Sequence, residues 1–360
     1  MAASAGPLHG VKVIELGGIG PSPHTGMVLA DLGADVVRIR RPADSVHTRV
    51  REDLLLRGKR IVDLDIKRDA RRLLDLIAKA DVVLDGFRPG VCERLGIGPD
   101  VCATVNPRLI FARITGWGQD GPLSMTAGHD INYLSQTGAL NAIGYRDRPP
   151  LPPLNLVADF GGGSMFALLG ITAALYEREQ SGLGQVIDVA MVDGVSALAQ
   201  VHWEFKSAST MTDGGVAGLV DGSTPFYASY ETSDGKFMAV GAVEPQFFAN
   251  LLAGLGLSPA DVPGQDDRGS FDRMRAVFAD RFATKTRDEW ARVFAGSDAC
   301  VSPVLSWTEA VASDHLRARS TIVERGGTLQ AAPAPRFSRT TSAEIGVPPT
   351  QPTAIDAIDW

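Results

Sequence analysis

A Rossmann-like α/β fold, with a mostly parallel sheet covered by helices on both faces and a smaller α+β domain after it, is predicted by three features of the chain. Short β-branched runs alternate with helix-like segments from residue 11 onward, the pattern of right-handed β-α-β units. These strands recur about every 25 residues, the separation that a parallel pair with an intervening helix requires. Near residue 205 the chain turns to small, polar, glycine-rich residues, as connecting segments do. The bulk numbers agree: 360 residues exceed what one core organises, and 44% hydrophobic with 21% charged residues is an ordinary globular balance.

Taken in order, "VKVIEL" is the first strand, a Gly/Pro turn follows, "HTGMVLADLG" is the first helix and "DVVRIR" the second strand. "RIVDLDI", "DVVLDGF" and "RLIFARITG" continue the strands, with the amphipathic "RDARRLLDLIAKA" as a helix among them. "GGGSMFALLGITAALYEREQ" is apolar nearly all round and is closed by Gly182, so it reads as a buried helix starting after Asp159. "GQVIDVAM" is a further strand. The large domain then spans residues 1–200, a linker 201–224 and the small domain 225–315. In the small domain "PFYASYETSDGKFMAVGAV" forms two strands joined at Asp234 and Gly235, and "EPQFFANLLAGLG" and "DRMRAVFADRFATKTRDEWARVF" form helices. The proline-rich stretch 331–360 is expected along a surface instead of in a core.

A net charge of −7 argues against nucleic acid, whose phosphates demand clustered positive charge, so any anion site must be local. Cys92, Cys102 and Cys300 are odd in number and lack CxxC or His-rich spacing, which predicts neither disulfides nor a metal site and fits a reducing cytoplasm. No signal peptide or peroxisomal tripeptide is expected, and the apolar run 165–176 is too short to span a bilayer.

The turn "ELGGIGPSPHTG" holds Gly18 and Gly20, half of a dinucleotide fingerprint, but Pro23 replaces its third glycine. Arg38, Arg40 and Arg41 stand where an acidic ribose partner belongs. A classical NAD site is therefore not expected. Those arginines suit the 2′-phosphate of NADP or the 3′-phosphate of coenzyme A, or they are solvated loop residues. "LRGKR" and "GFRPG" add Arg57, Lys59, Arg60 and Arg88 at the same sheet edge. His129, in "GHDINY", lies beyond "RLIFARITG", near the carboxyl edge where open α/β sheets bind ligands. Asp159 is either a helix cap or a catalytic carboxyl. His24 reads as a residue satisfying backbone groups at a helix start, Glu244 as a cap at a strand-to-helix corner, and Met165, Met191 and Met238 as core. HExxH, GxSxG, Walker and kinase signatures are missing.

"GADVVRIRRP", "RGKRIVDLDIK", "GFRPGV", "NPRLIFARITGWGQDGP", "AGHDINY", "PLNLVADFGGGS", "GQVIDVAMVDG" and "AVGAVEPQFF" together resemble the α-methylacyl-CoA racemases of the family III CoA-transferase superfamily, the mycobacterial members above all. The likeness runs from about residue 8 to residue 310. It implies that His129 and Asp159 are the two acid/base groups, oriented by Glu244 and Asn155 respectively. It implies a coenzyme A site of Arg38, Arg41, Arg88 and Arg94, the strand end Leu64, Asp65, Ile66 and Lys67, and the turn Gly128, Asp130 and Tyr133. It also implies an interlocked homodimer in which the segment 316–360 returns to the large domain. The substrate is then a 2-methylacyl-CoA thioester. No resident cofactor and no metal are called for, since coenzyme A is part of the substrate, and no nucleic acid or membrane is a partner.

Inverting a carbon that bears one hydrogen requires removing a proton from one face and delivering one to the other, so two groups must exchange acid and base roles. The reference values, about 6.5 for His and about 3.9 for Asp, are expected to draw together, either through partial burial of Asp159 or through a charged imidazolium shared between states. Backbone N–H groups near Asp130 are the expected donors to the enolate oxygen, and Met191 and Met238 are offered as linings for the acyl chain. Two rival readings remain: a family III CoA-transferase with Asp159 as nucleophile, and a CoA- or NADP-binding protein without chemistry.

Overall fold

The computed structural model describes residues 6–42, 53–144, 148–208, 220–342 and 344–360. The strands β1 (Lys12–Leu16), β2 (Asp35–Arg40), β3 (Lys59–Asp63), β4 (Val82–Asp85), β5 (Ile110–Thr115) and β6 (Val186–Ala190) form one sheet in the order β3-β2-β1-β4-β5-β6. Every pairing in it is parallel. The strand order reverses between β1 and β4, which is where such sheets open a crevice at their carboxyl ends. Val13, Ile14, Leu16, Val36, Val37, Val83 and Leu84 are buried on alternate faces, as strands covered on both sides require.

The crossovers are α1 (Pro21–Asp31), α2 (Ile66–Ile77), the short α3 (Val91–Arg94) and α4 (Pro99–Val105), then α5 (Asp130–Gln136), α6 (Phe166–Ser181) and α7 (Met191–Leu198). In α2, Asp65 accepts from the Lys67 amide as N-cap, and Leu73, Leu76 and Ile77 line the inner face. Each of those side chains contributes roughly 1.5–3 kcal/mol on burial.

The helix expected after Asp159 starts earlier. Residues Leu156–Met165 wind as a π-helix that runs straight into α6, so Asp159 lies within the helix instead of capping it. The helix is also not buried all round: Met165, Leu169, Thr172, Ala173 and Tyr176 form an exposed stripe. Its full span, Leu156–Ser181, is long and apolar enough to cross a bilayer by length and composition. The shorter run counted in the sequence omitted its first turns. Here α6 packs against β5 and β6, and the π-helical segment packs against α7. The glycines of "GGGS" serve that packing: a Cβ on Gly194 would lie 2.0 Å from Gly162 O, and one on Gly162 would lie 2.9 Å from Met191 O.

The chain divides into two compact units: one falls within Met1–Leu140, Pro152–Ala199 and Ala318–Trp360, the other within Asn141–Leu151 and Gln200–Arg317. The longer stretch of the second unit opens with α8 (Gln200–Ser207), so the expected linker starts as a helix; its residues 209–219 lie outside those described. Strands β7 (Tyr227–Glu231), β8 (Phe237–Gly241) and β9 (Val301–Pro303) form an antiparallel sheet, with Gly235 at φ 71° in the first hairpin. Its core joins Tyr230, Met238 and Val240 to α9 (Pro245–Leu255), α10 (Phe271–Phe282) and α11 (Arg287–Phe294). A capping box of Thr286 and Glu289 separates the last two helices.

The C-terminal stretch does more than lie on a surface. After a hairpin of β10 (Ile322–Arg325) and β11 (Thr328–Ala331), Ile355 and Ile358 enter the core beside Leu73 and Ile77. The Thr353 amide donates to Ile61 O at 2.6 Å, and Trp360 Nε1 donates to Asp35 Oδ2 at 2.6 Å. Two apolar residues in a proline-rich segment carry too little periodicity to announce a core role.

Candidate active site

Four segments of the first unit meet around Asp159. The β5–α5 loop ends at His129, which is exposed and immediately precedes α5; its backbone N–H donates to Asn132 Oδ1 at 3.0 Å. Asp130 follows, buried, and its Oδ2 accepts from the amides of Ala158 and Asp159, both at 2.8 Å. Asp130 therefore ties the start of α5 to the π-helical turn, and places the two candidate side chains, His129 and Asp159, on joined segments. Tyr133, one turn further on, donates its hydroxyl to Gly128 O at 2.5 Å and packs edge-on against Trp117, which pins the backbone just before His129.

Asp159 is half-buried, and Asn155 Nδ2 lies 3.4 Å from its Oδ2. Burial pushes its pKa above the usual carboxylate range; the Asn155 hydrogen bond opposes that, the neighbouring Asp130 charge adds to it, and the His129 charge opposes it. The expected upward drift of the Asp159 carboxyl is thus present, with burial as its main cause. The first β-α turn completes the surroundings. Gly20, at φ 67° and ψ −111°, stands so close that a Cβ there would lie 3.0 Å from Asp159 Oδ2. Beside it Ile19 is 79% exposed. Neither Gly20 nor Ile19 was singled out in the sequence as an Asp159 neighbour; the signal was the failed dinucleotide fingerprint, whose glycine serves a carboxyl instead of a pyrophosphate.

The basic residues separate into two groups. Lys59 Nζ, fully buried, donates to Glu15 Oε2 at 2.6 Å and to Pro23 O at 2.8 Å. Arg57 is buried on Asp31 and on Gln330 and Ala331 of β11, and Arg60 pairs with Asp35. These three, raised in the sequence as anion ligands, are structural pairs. Arg38 also pairs with the buried Glu15 and donates to Gly18 O at 3.1 Å, so its guanidinium braces the first turn. Arg41, Arg88 and Arg94 are exposed, and Arg88 is near enough to Tyr133 for its charge to act on the phenol. Of the strand end, Leu64 is buried in the core, Asp65 is the α2 cap, Ile66 is partly buried and Lys67 is exposed.

Glu244 belongs to the second unit, at the N-cap position of α9 with no capping bond from its side chain. The two methionines offered as acyl linings are taken by cores: Met238 is fully buried among the second unit's aromatic residues, and Met191 is buried with Ile114 and Val195.

Comparison with known proteins identifies the family. The chain is 47% identical over 336 residues to a protein named alpha-methylacyl-CoA racemase from Mus musculus, covering 92% of this chain and 87% of that one. It is 46% identical over 318 residues to the Homo sapiens protein of the same name, covering 88% and 82%. A CAIB/BAIF family protein from Brucella suis superposes with a TM-score of 0.82 at 25% identity over 96% of each chain. The sequence pattern of CoA-transferase family III matches residues 8–354, so the chain belongs to that family.

Proposed function

We propose that this protein is an isomerase, an α-methylacyl-CoA racemase that interconverts (R)- and (S)-2-methylacyl-CoA thioesters by proton transfer through an enolate. The observation that carries the reading is one exposed imidazole, His129, beside a half-buried carboxyl, Asp159, whose pKa burial raises. One group takes the α-proton while the other, still protonated, delivers to the opposite face, and the reverse reaction exchanges the roles. A transferase that attacks the thioester with Asp159 has no need of a second proton-transfer group, so His129 beside that carboxyl favours the racemase reading. Asn155 positions Asp159. The Asp130 amide, at the first position of α5, is assigned to the enolate oxygen; losing such a donor costs about 3 kcal/mol in the transition state.

Coenzyme A enters as part of the substrate. Arg41, Arg88 and Arg94 offer exposed guanidinium groups to its phosphates, and Gly128, Tyr133 and residues 64–67 are assigned to the same site; Arg38 contributes mainly by holding the first turn. The exposed stripe of Met165, Leu169 and Tyr176 supports a homodimer that covers it, and the free thiols of Cys92, Cys102 and Cys300 support a cytoplasmic setting.

The test is incubation with a chiral 2-methylacyl-CoA in deuterated water. Label at the α-carbon with loss of optical purity is expected. Acyl exchange onto an added acid without label would establish the transferase instead, and binding with neither would leave a CoA-binding protein.

A further inference from the structure

His24 lies in the first turns of α1, directly beneath the helix that carries Asp159. Its ring stacks on Phe160, with centroids 4.4 Å apart and planes 26° apart. Its Nδ1 is 2.7 Å from Ser164 Oγ, and its backbone amide donates to Gly20 O at 3.2 Å. One residue therefore touches both flanks of the reactive carboxyl: the chain at Phe160 and Ser164, one and five residues beyond Asp159, and the glycine whose backbone faces Asp159 Oδ2.

Thr25 Oγ1 donates to Pro21 O at 2.8 Å and lies 3.2 Å from Ser164 Oγ. Ser164 Oγ therefore stands between the His24 ring and Thr25, and one polar chain links the imidazole through Ser164 and Thr25 to the backbone of α1. Burial lowers the His24 pKa to about 4, helped by the charges of Lys59 and Arg57, so the ring is neutral at working pH and adds no charge beneath Asp159.

We propose that His24 is a positioning residue for Asp159: through Phe160 and Ser164 it holds the π-helical turn against the glycine turn, and so sets where the carboxyl stands. A π-helical segment has looser backbone bonding than an α-helix, and this one carries a reactive group in its first turn. An external clamp has a task there that ordinary helical hydrogen bonds would perform elsewhere. The inference rests on the reading that Asp159 exchanges protons with the substrate.

The test compares His24→Ala, Ser164→Ala and His24→Asn with the unaltered protein, using two readouts. The first is kinetic. Misplacing a catalytic group by about 1 Å costs roughly 10²-fold, so kcat should fall by about tenfold to a hundredfold in His24→Ala while KM stays within about twofold, with part of the loss restored in His24→Asn, which keeps a donor toward Ser164. Label exchange in deuterated water should be lost at the face served by Asp159, defined by an Asp159→Ala reference, and kept at the face served by His129. The second is independent of turnover: carbon-13 NMR titration of the Asp159 carboxyl, assigned with Asp159→Asn. Asp130 and His129 are the charged groups acting on it, and neither is altered, so a loosened turn that admits water should move its pKa down toward the ordinary value. If His24→Ala fails to fold, Ser164→Ala, which removes one hydroxyl from the same link, carries both readouts. Unchanged titration with kcat within about twofold, or equal loss of exchange at both faces, would overturn the proposal. If the unaltered protein proves not to racemise, the racemase reading fails and the titration alone decides the positioning role.

Discussion

Substituting Gly20 with alanine tests the first turn's closeness to Asp159, because two independent costs follow from one added methyl. The backbone at φ 67° and ψ −111° lies in a region that residues with a side chain rarely enter, and forcing alanine there costs about 1–3 kcal/mol. For a chain of this size that lowers the melting temperature by roughly 1–2 °C per kcal/mol. The second cost concerns activity alone. The new Cβ would lie 3.0 Å from Asp159 Oδ2 and 3.5 Å from its Cγ, tighter than ordinary contact, so the carboxyl must give way by a few tenths of an ångström or more. A shift of that kind should lower kcat by about ten- to a hundredfold with KM little changed. Gly10→Ala supplies the control: it too sits at positive φ, 87°, but an added Cβ would meet nothing within 4 Å. The assay is racemisation followed by polarimetry or chiral chromatography, with melting curves for both variants. Gly10→Ala should lose stability and keep its kcat, whereas Gly20→Ala should lose both. Full activity in a folded Gly20→Ala variant would refute the claim that this turn determines the carboxyl's position.

Other outcomes follow from the same geometry. Asp130→Asn keeps the shape of the link to Ala158 and Asp159 but removes the charge that helps raise the Asp159 pKa, so the ionisation assigned to Asp159 in a pH–rate profile should move down; a profile unchanged or moved up contradicts the electrostatic account. Asp130→Ala strips both amides of their acceptor and should destabilise by about 2–4 kcal/mol in urea unfolding. His24 has a native pKa near 4 against an unfolded value of about 6.5. Between those limits the unfolded chain binds a proton that the native one refuses, so stability should fall as pH drops through that window, by on the order of 1–2 kcal/mol after allowance for the ring's partial exposure. His24→Phe should lose that part of the acid sensitivity in melts at pH 7 and pH 4.5. Arg88→Ala and Arg41→Ala should raise KM for the thioester severalfold with kcat unchanged, and weaken the salt dependence of KM; a pure kcat effect would remove both residues from phosphate binding.

Much of the scaffold could be read from the chain alone. The parallel strands announce themselves as short β-branched runs, the amphipathic α2 as a 3.6-residue period, and the β7–β8 hairpin as Asp234-Gly235, because each depends on residues only a few positions apart. His129 and Asp159 were legible as candidates because each follows a strand end or precedes a glycine run. The local setting of Asp159 was not, and the helix around it shows why. An Asp before three glycines looks like a cap, yet the helix starts upstream and the glycines are present so that α7 can approach closely.

The basic residues mark the boundary between the two kinds of information. Local sequence placed Arg38, Arg57 and Lys59 at a sheet edge; only the register of β1, β2 and β3 brought Arg38 and Lys59 onto Glu15, and only the packing of α1 and β11 put Arg57 between Asp31 and Gln330. A buried charge must find its counter-charge whatever the separation along the chain, and that partner is chosen by strand order, not by neighbouring sequence. The same holds for Ile355 and Ile358, which fill a core built some 280 residues earlier by Leu73 and Ile77, and for Gly20, whose nearness to Asp159 exists only once α1 and the π-helical turn pack together. Local sequence is enough for the elements and for the candidate residue types. The tertiary structure decided which charges are free to meet a substrate and which are occupied in holding the fold, since that depends on long-range pairing that no local period encodes.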